Sequence, residues 1–370
     1  MIARILVSGA GVAGPALAYW LQRYGFQVTL VERAATLRPG GHAIDVRGVA
    51  VEVLRNMGLY HASCARRTHM RGASVLDADG NEVSRSEERS FSGGRFDSGD
   101  IELFRDDLVR LMFEATEGAS EFLWNDSITA VEQSAHAVRV SFERGGSREF
   151  DLLVGADGLH SNVRRLVFGD DAAHLKSFGI GLAIFSTPNL LQLRDWQVSY
   201  RDAESGYVIY PNLDNSQLRV NLGFALQSPD AWRGDGSTQK ALVAERCVHL
   251  RWQVPRLLEA MWESADFYFG DIGQVKMPRW SSGRVALLGD AAYCPSPFSG
   301  QGTSLALVGA QVLARELQRT SGDFHSALGR YESRMRPYVE LNQALVNLDR
   351  AGPVPDDIMD AAKNGVTLDD

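Results

Sequence analysis

The sequence predicts an α/β fold in two parts. A Rossmann-type layer is drawn from both ends of the chain, and an antiparallel sheet is inserted between residues 174 and 275. Three observations predict it. A glycine-rich turn, Gly9-Ala10-Gly11-Val12-Ala13-Gly14, joins a short apolar run to a helical one. Residues 174–275 change character, to strand-like runs rich in aromatics and parted by turn residues. The α/β pattern then returns at Val285–Leu288 and closes in two long helical stretches.

Arg4 to Ser8 (RILVS) reads as a buried strand, and Pro15 to Tyr24 as a helix ended by Gly25. Gln27 to Val31 is a second strand, closing with Glu32. A loop at Arg38-Pro39-Gly40-Gly41 precedes a helix from Val49 to Met57, capped by Gly58. Residues 71–100 hold strand-like pieces, parts of which can join the inserted sheet, and a turn region from Ser92 to Gly99. Arg105 to Glu114 is helical in pattern, and strands follow at Ile128–Glu132, Ala137–Phe142 and Phe150–Val154. Gly179–Ser186, Gln197–Tyr200, Tyr207–Tyr210 and Gln217–Leu226 supply the inserted sheet. Helices are expected from about Thr303 to Arg319 and from Phe324 to Leu348. The expected division is residues 1–173 with 276–370 as one discontinuous domain, and 174–275 as the other.

Composition narrows the function. The 370 residues are 45% hydrophobic and 23% charged, enough for two cores. A formal net charge of −8 argues against a nucleic-acid partner. Cys64, Cys247 and Cys294 lie far apart, with no CxxC pair, which gives no metal signal and suits a reducing cytoplasm. The glycine periodicity explains the N-terminus better than a secretory signal does, and no long apolar stretch reads as a membrane span.

Each glycine of the first motif has a physical task. Gly9 permits the tight turn, Gly11 lets backbone approach a pyrophosphate, and Gly14 lets helix and strand pack closely. The helix start then offers N–H groups to phosphate. Glu32, ending the second strand, is placed to accept hydrogen bonds from ribose hydroxyls and repels a 2′-phosphate, which disfavours NADP at this site. A second motif, Gly155-Ala156-Asp157-Gly158, ends another strand, with Ser161 as a helix cap. Taken alone, Asp157 reads equally as a turn former or a functional residue. The third, Gly289-Asp290-Ala291-Ala292, leads through Pro295 and Pro297 to Gly300-Gln301-Gly302 at a helix start. A carboxylate at Asp290 suits a polyol. The order and spacing of the three imply a chain wrapped around one long dinucleotide, and FAD fits better than NAD.

With these motifs the chain resembles the class A FAD-dependent aromatic hydroxylases, the para-hydroxybenzoate hydroxylase-like family, and in layout the tetracycline-inactivating monooxygenases within it. The resemblance rests on Gly9-x-Gly11-x-x-Gly14 with Glu32, Asp157-Gly158-x-x-Ser161-x-Val163-Arg164, Gly289-Asp290-Ala291-Ala292 with Pro297 and Gly300-Gln301-Gly302, and Arg105-x-x-Leu108. It implies an FAD-binding domain of the glutathione-reductase-like type, an inserted substrate sheet and C-terminal helices. It implies that Gly9, Gly11, Val12, Ala13, Gly14, Glu32 and Arg33 hold the ADP half of a non-covalent FAD, and Arg105 its middle. Gly289 and Asp290 would meet the ribityl chain, Pro297 and Gly300 to Gly302 the isoalloxazine, and Asp157 with Gly158 both FAD and the nicotinamide cofactor. One departure is visible: where the family often has His after Gly-Asp-Ala-Ala, this chain has Tyr293, read as packing in preference to a proton relay.

The activity implied is a monooxygenase of secondary-metabolism type. NADPH or NADH reduces the flavin, O2 adds, and a flavin C4a-hydroperoxide hydroxylates an aromatic or polyketide-like molecule. The cofactor carries the chemistry, so no side chain is named as catalytic. Candidate substrate contacts are His42, Arg47, Tyr210, Asn221, Phe224, Pro297 and Phe298. Tyr200, Tyr207, Tyr210 and Phe224 are weighed against a plain core role, since aromatics on a sheet bury large area. For His42 and Arg47 the competing reading is a solvated loop. An FAD enzyme without oxygen transfer (an oxidase, or a non-redox cyclase or isomerase scaffold) and a degenerate nucleotide-binding module are the other readings the motifs leave open.

Overall fold

A computed structural model describes residues 3–37, 40–90, 94–228, 233–320, 322–350 and 353–368. Arg38 and Pro39 of the expected loop, and Ser92 and Gly93 of the expected turn, lie outside the described residues. The fold is mixed α/β, built on two large sheets.

The six-stranded sheet runs in the order Ser281–Ser282, Val285–Leu287, Leu152–Gly155, Arg4–Ser8, Gln27–Glu32 and Glu121–Trp124. Every pairing is parallel except the short edge pair with Ser281–Ser282. Its inner strands are buried on both faces, so they read as unbroken apolar runs rather than alternating ones. Helix Ala13–Arg23 packs against helix Gly302–Arg319, which in turn carries helix Phe324–Ala344.

The seven-stranded sheet takes Tyr268–Val275, Leu175–Pro188, Gln217–Ala225, Ser205–Pro211, Trp196–Arg201, Gly72–Leu76 and Glu82–Ser86 in that order. All neighbours are antiparallel except Trp196–Arg201 beside Gly72–Leu76. One face packs on helices Gly236–Cys247 and Val254–Glu263, burying Phe185, Tyr207, Val220 and Phe224 against Val243, Leu257 and Met261. Each such side chain contributes about 1.5–3 kcal/mol relative to exposure. The opposite face looks toward a two-stranded ribbon, Ala43–Val46 with Ile101–Phe104.

Several boundaries differ from the sequence reading. The run expected as one strand from Phe150 to Val154 is two. Ser147–Phe150 belongs to a separate antiparallel sheet and Leu152–Gly155 to the parallel one. Asp151 turns the chain between them and accepts a 2.7 Å hydrogen bond from the Arg4 N–H. Helices Gly236–Cys247 and Val254–Glu263 lie inside a stretch read as sheet; Val254, Leu257, Leu258 and Met261 give the second its apolar face at helical spacing. Strand Leu175–Pro188 starts earlier than its alternation suggested, because a bulge at Ser177–Ile180 breaks the pattern there. Helix Phe324–Ala344 stops short of Leu348, and a further helix spans Asp356–Lys363. Among the described residues no helix is long and apolar enough to cross a membrane, and no His/Cys/Asp/Glu group is placed to hold a metal.

Candidate functional site

The first motif leaves strand Arg4–Ser8 through Gly9, whose φ of +104° suits glycine. A Cβ there would stand 2.5 Å from the Ala156 carbonyl oxygen, and one at Gly14 only 1.9 Å from the Gly9 carbonyl oxygen. These two glycines are therefore required by the protein's own packing. Gly11 is not: a Cβ there would meet nothing within 4 Å. Its bareness opens the turn toward an outside group, as a pyrophosphate requires. Helix Ala13–Arg23 begins without a side-chain cap and without an acidic residue in its first turn, leaving its N–H groups to an anion. Glu32 lies across the same turn, accepting 2.9 Å hydrogen bonds from the N–H groups of Ala10 and Ala34. Arg33 beside it is exposed.

The second motif follows the neighbouring strand. Asp157 accepts hydrogen bonds from the Ser161 hydroxyl and, at 3.0 Å, from the Val163 N–H, while Ser161 caps helix Asn162–Phe168 through Arg164 N–H. Both carboxylate oxygens are thus engaged in shaping the turn that places Gly158, at φ +84°. Burial raises the Asp157 carboxyl above its ordinary range, against the pull of these donors.

The third motif lies against the other two. A Cβ on Gly289 would be 3.1 Å from Ala13 Cβ. Arg164, fully buried, donates to the Ala291 carbonyl at 2.9 Å and pairs with Asp171. Asp290 opens a one-turn helix, Asp290–Tyr293, and its Oδ1 is 3.7 Å from where a Cβ on Gly302 would stand. Burial pushes its carboxyl upward, opposed by the Cys294 thiol. Gly300 (φ +62°) and Ser296 (φ +79°) bend the loop into helix Gly302–Arg319. Gln301 is fully buried and its side-chain carbonyl has no hydrogen-bond partner among the described residues, which suits a ligand donor. Pro297 and Phe298 are exposed at the rim.

Arg105 begins helix Arg105–Glu114 and lies across Gly41; its N–H donates to the His42 carbonyl at 3.2 Å. Burial and then the Arg105 charge push the His42 pKa down to about 4, so its ring is neutral at pH 7. Arg47 is not a solvated loop residue. It is 1% exposed, paired at 3.0 Å with Asp45, and its N–H donates to the Ser304 hydroxyl.

On the antiparallel sheet the two-residue repeat sorts the candidates. Tyr210 and Asn221 lie on the ribbon side. The Tyr210 hydroxyl accepts from the Ala43 N–H at 2.9 Å and its ring stacks over Phe104, while Asn221 donates to the Val208 carbonyl at 3.1 Å. Phe224 does not belong with them. It points to the opposite face and stacks on Phe269 at 5.6 Å within the core under the helices. Tyr207 shares that side, stacked on Trp252.

Sequence reasoning missed two residues here. Arg219 is buried on the ribbon face, donates to the Gly41 carbonyl at 3.1 Å and lies over the Phe104 ring. Its place two residues before Asn221 was the available signal. Glu102, on the ribbon, accepts from Thr68; burial, and then the Asp45 carboxylate, raise its pKa to about 7.

The family model described as an FAD binding domain matches residues 3–343. A flavin-dependent monooxygenase of Legionella longbeachae is 39% identical over 345 residues, covering 92% of this chain and 87% of that protein. A Mycobacterium tuberculosis protein of uncharacterised function is 45% identical over 368 residues, covering 99% of both. Among solved structures, tetracycline destructase Tet(51) superposes with a TM-score of 0.89 at 35% identity, covering 100% of both chains.

Proposed function

The chain belongs to the FAD-binding-domain family and is a flavin-dependent monooxygenase; on that premise we propose that it uses NAD(P)H and O2 to hydroxylate an aromatic or polyketide-like small molecule. The observation that carries the reading is convergence. Gly9 abuts Ala156, Gly289 abuts Ala13, and Arg164 joins Ala291, so three motifs far apart in sequence form one cradle. When bound, FAD supplies the electron and oxygen chemistry that no side chain offers.

The residues divide the rest of the work. Gly9, Gly11, Val12, Ala13, Gly14 and Glu32, with Arg33 at the edge, hold the ADP half. Arg105 reaches the middle, and Gly289 with Asp290 meets the ribityl hydroxyls. Asp157 shapes the turn at Gly158, and Pro297 with Gly300 to Gly302 borders the ring system. Neutral His42, Tyr210, Asn221 and Arg219 face the substrate; burial lifts the Tyr210 pKa to about 12, so its hydroxyl keeps its proton and orients a polar group. The likeness to a tetracycline destructase supports a fused polycyclic, oxygen-rich substrate as the first class to screen.

The test is NADH and NADPH oxidation by the FAD-loaded enzyme across such a panel, with O2 uptake and product mass followed together. Substrate-stimulated oxidation with one oxygen atom gained by the product is expected. Reductant consumption that yields only hydrogen peroxide with every class would move the assignment to an oxidase.

A further inference from the structure

Tyr293 stands where the resembled family often has His, and its surroundings are shaped to it. The ring is 1% exposed and tilts against Trp280 at 4.6 Å. Its hydroxyl shares a 3.0 Å hydrogen bond with that of Tyr331, which also lies 3.1 Å from the Leu287 carbonyl oxygen. Opposite stands Gly309, in the interior of helix Gly302–Arg319. A Cβ there would lie 2.1 Å from the Tyr293 hydroxyl oxygen, against 3.1 Å from Leu288 Cδ1 and 3.4 Å from the Tyr293 ring carbon Cζ, so the hydroxyl is by far the severest contact. Glycine within a helix weakens it relative to alanine, so this position calls for a reason. The reason is the hydroxyl: Gly309 is the notch that seats it.

The backbone of the same residue is gripped from another side. Gln343, on helix Phe324–Ala344, donates to the carbonyls of Val275 at 2.8 Å and of Tyr293 and Cys294 at 3.3 Å. Tyr293 also closes the one-turn helix that Asp290 opens. A single turn does not sustain itself, because nucleation costs more than one hydrogen bond returns. Tyr293 at the turn's end and Arg164 on the Ala291 carbonyl therefore share in fixing Asp290.

We propose that Tyr293 is a positioning residue for flavin retention: its hydroxyl, seated in the Gly309 notch and tied to Tyr331, holds the one-turn helix so that Asp290 faces Gly302 and the polyol chain of FAD. The inference rests on the reading that Asp290 binds that chain. It gives Tyr293 a task beyond filling space, and it couples two positions separated by a whole loop.

The test is a double-mutant cycle with two readouts, the FAD Kd from flavin fluorescence and the melting temperature of the apoprotein. Gly309→Ala, which drives a methyl into the hydroxyl, raises Kd by about tenfold or more. Tyr293→Phe loses one hydrogen bond and raises it by about threefold. The double variant has no hydroxyl to displace, so Gly309→Ala raises Kd much less in the Tyr293→Phe background than in the wild type. Tyr331→Phe, which removes the partner hydroxyl with little change in volume, raises Kd by about threefold and serves as the test if Gly309→Ala does not fold. Two results overturn the proposal: Gly309→Ala costing the same in both backgrounds, or Gly309→Ala and Tyr331→Phe lowering the melting temperature with Kd unmoved. Asp290→Ala separates the premise from the inference. An unchanged Kd there removes the placement of Asp290 and the proposal with it. A weakened Kd there, with Gly309→Ala neutral, removes the positioning role alone.

Discussion

The two large sheets place their functional groups by different rules. In the parallel sheet every cofactor candidate sits at or just past the carboxyl end of a strand: Gly9 after Arg4–Ser8, Glu32 ending Gln27–Glu32, Asp157 after Leu152–Gly155, Asp290 after Val285–Leu287. Backbone conformation decides these sites, and at Gly14 no side chain fits at all. In the antiparallel sheet parity decides. Tyr210 and Asn221 face the ribbon, whereas Tyr207 and Phe224 face the helices. The difference teaches where such a fold can change. Turn residues are bound to one backbone conformation, while ribbon-side residues are tied by side-chain hydrogen bonds, Tyr210 to Ala43 and Arg219 to Gly41, so a change there acts through the side chain rather than through a turn.

The largest effect expected from that contrast is on stability. Phe224→Ala, emptying a place in the second core, should destabilise by about 3–5 kcal/mol in chemical denaturation. If instead it chiefly raised KM in a well-folded enzyme, Phe224 would belong with the substrate face after all. Next comes Gly14→Ala, whose new methyl would meet backbone that cannot move aside. A loss of about 1–3 kcal/mol, together with loss of flavin on purification, is expected. A yellow, fully stable variant would break the account of the turn.

Glu102, on the ribbon between the sheets, gives a pH test. Burial, then Asp45, raises its folded pKa to about 7. Below its unfolded value both states are protonated and nothing is lost. As pH rises toward 7 the unfolded chain releases a proton that the folded one keeps, so wild-type stability falls. Glu102→Gln should match wild type near pH 4.5 and exceed it by on the order of 1 kcal/mol at pH 8. An equal gap at both values would place the carboxyl in water. The smallest effect sharpens the face assignment: Tyr210→Phe should raise substrate KM about five- to tenfold while FAD affinity stays put. A change in flavin affinity without one in KM would move Tyr210 to the cofactor side.

What was legible in the sequence follows the same divide. Gly9, Gly14, Glu32 and Asp290 could be placed because turns at strand ends demand particular residues at particular offsets. The sheet candidates could not be sorted before the register was known, since a shift of one residue exchanges the faces. Thus Asn221 and Phe224 read alike in the chain and point apart in the fold. Arg164 was visible as part of the second motif, but only long-range packing shows it joining the Ala291 carbonyl; Arg219 looks like surface charge in a sequence, and only the fold shows it bonded to Gly41. For Arg47 a substrate contact and a solvated loop both stood open, because nothing local reveals its burial, its pairing with Asp45 or the bond from its N–H to Ser304 far along the chain. Helix Val254–Glu263 was hidden by its aromatic, turn-rich neighbourhood, although its apolar spacing was there to be counted.

The most direct measurement is the FAD Kd of wild type beside Gly11→Ala, with melting curves of both apoproteins. Gly11 is the one glycine of the first motif whose added methyl touches no protein atom within 4 Å. Wild type should bind FAD, and the variant should keep a stability within about 0.5 kcal/mol of it while binding FAD roughly tenfold or more weakly. Equal affinity in the two proteins, or no flavin bound by either, would contradict a cradle formed by the three motifs.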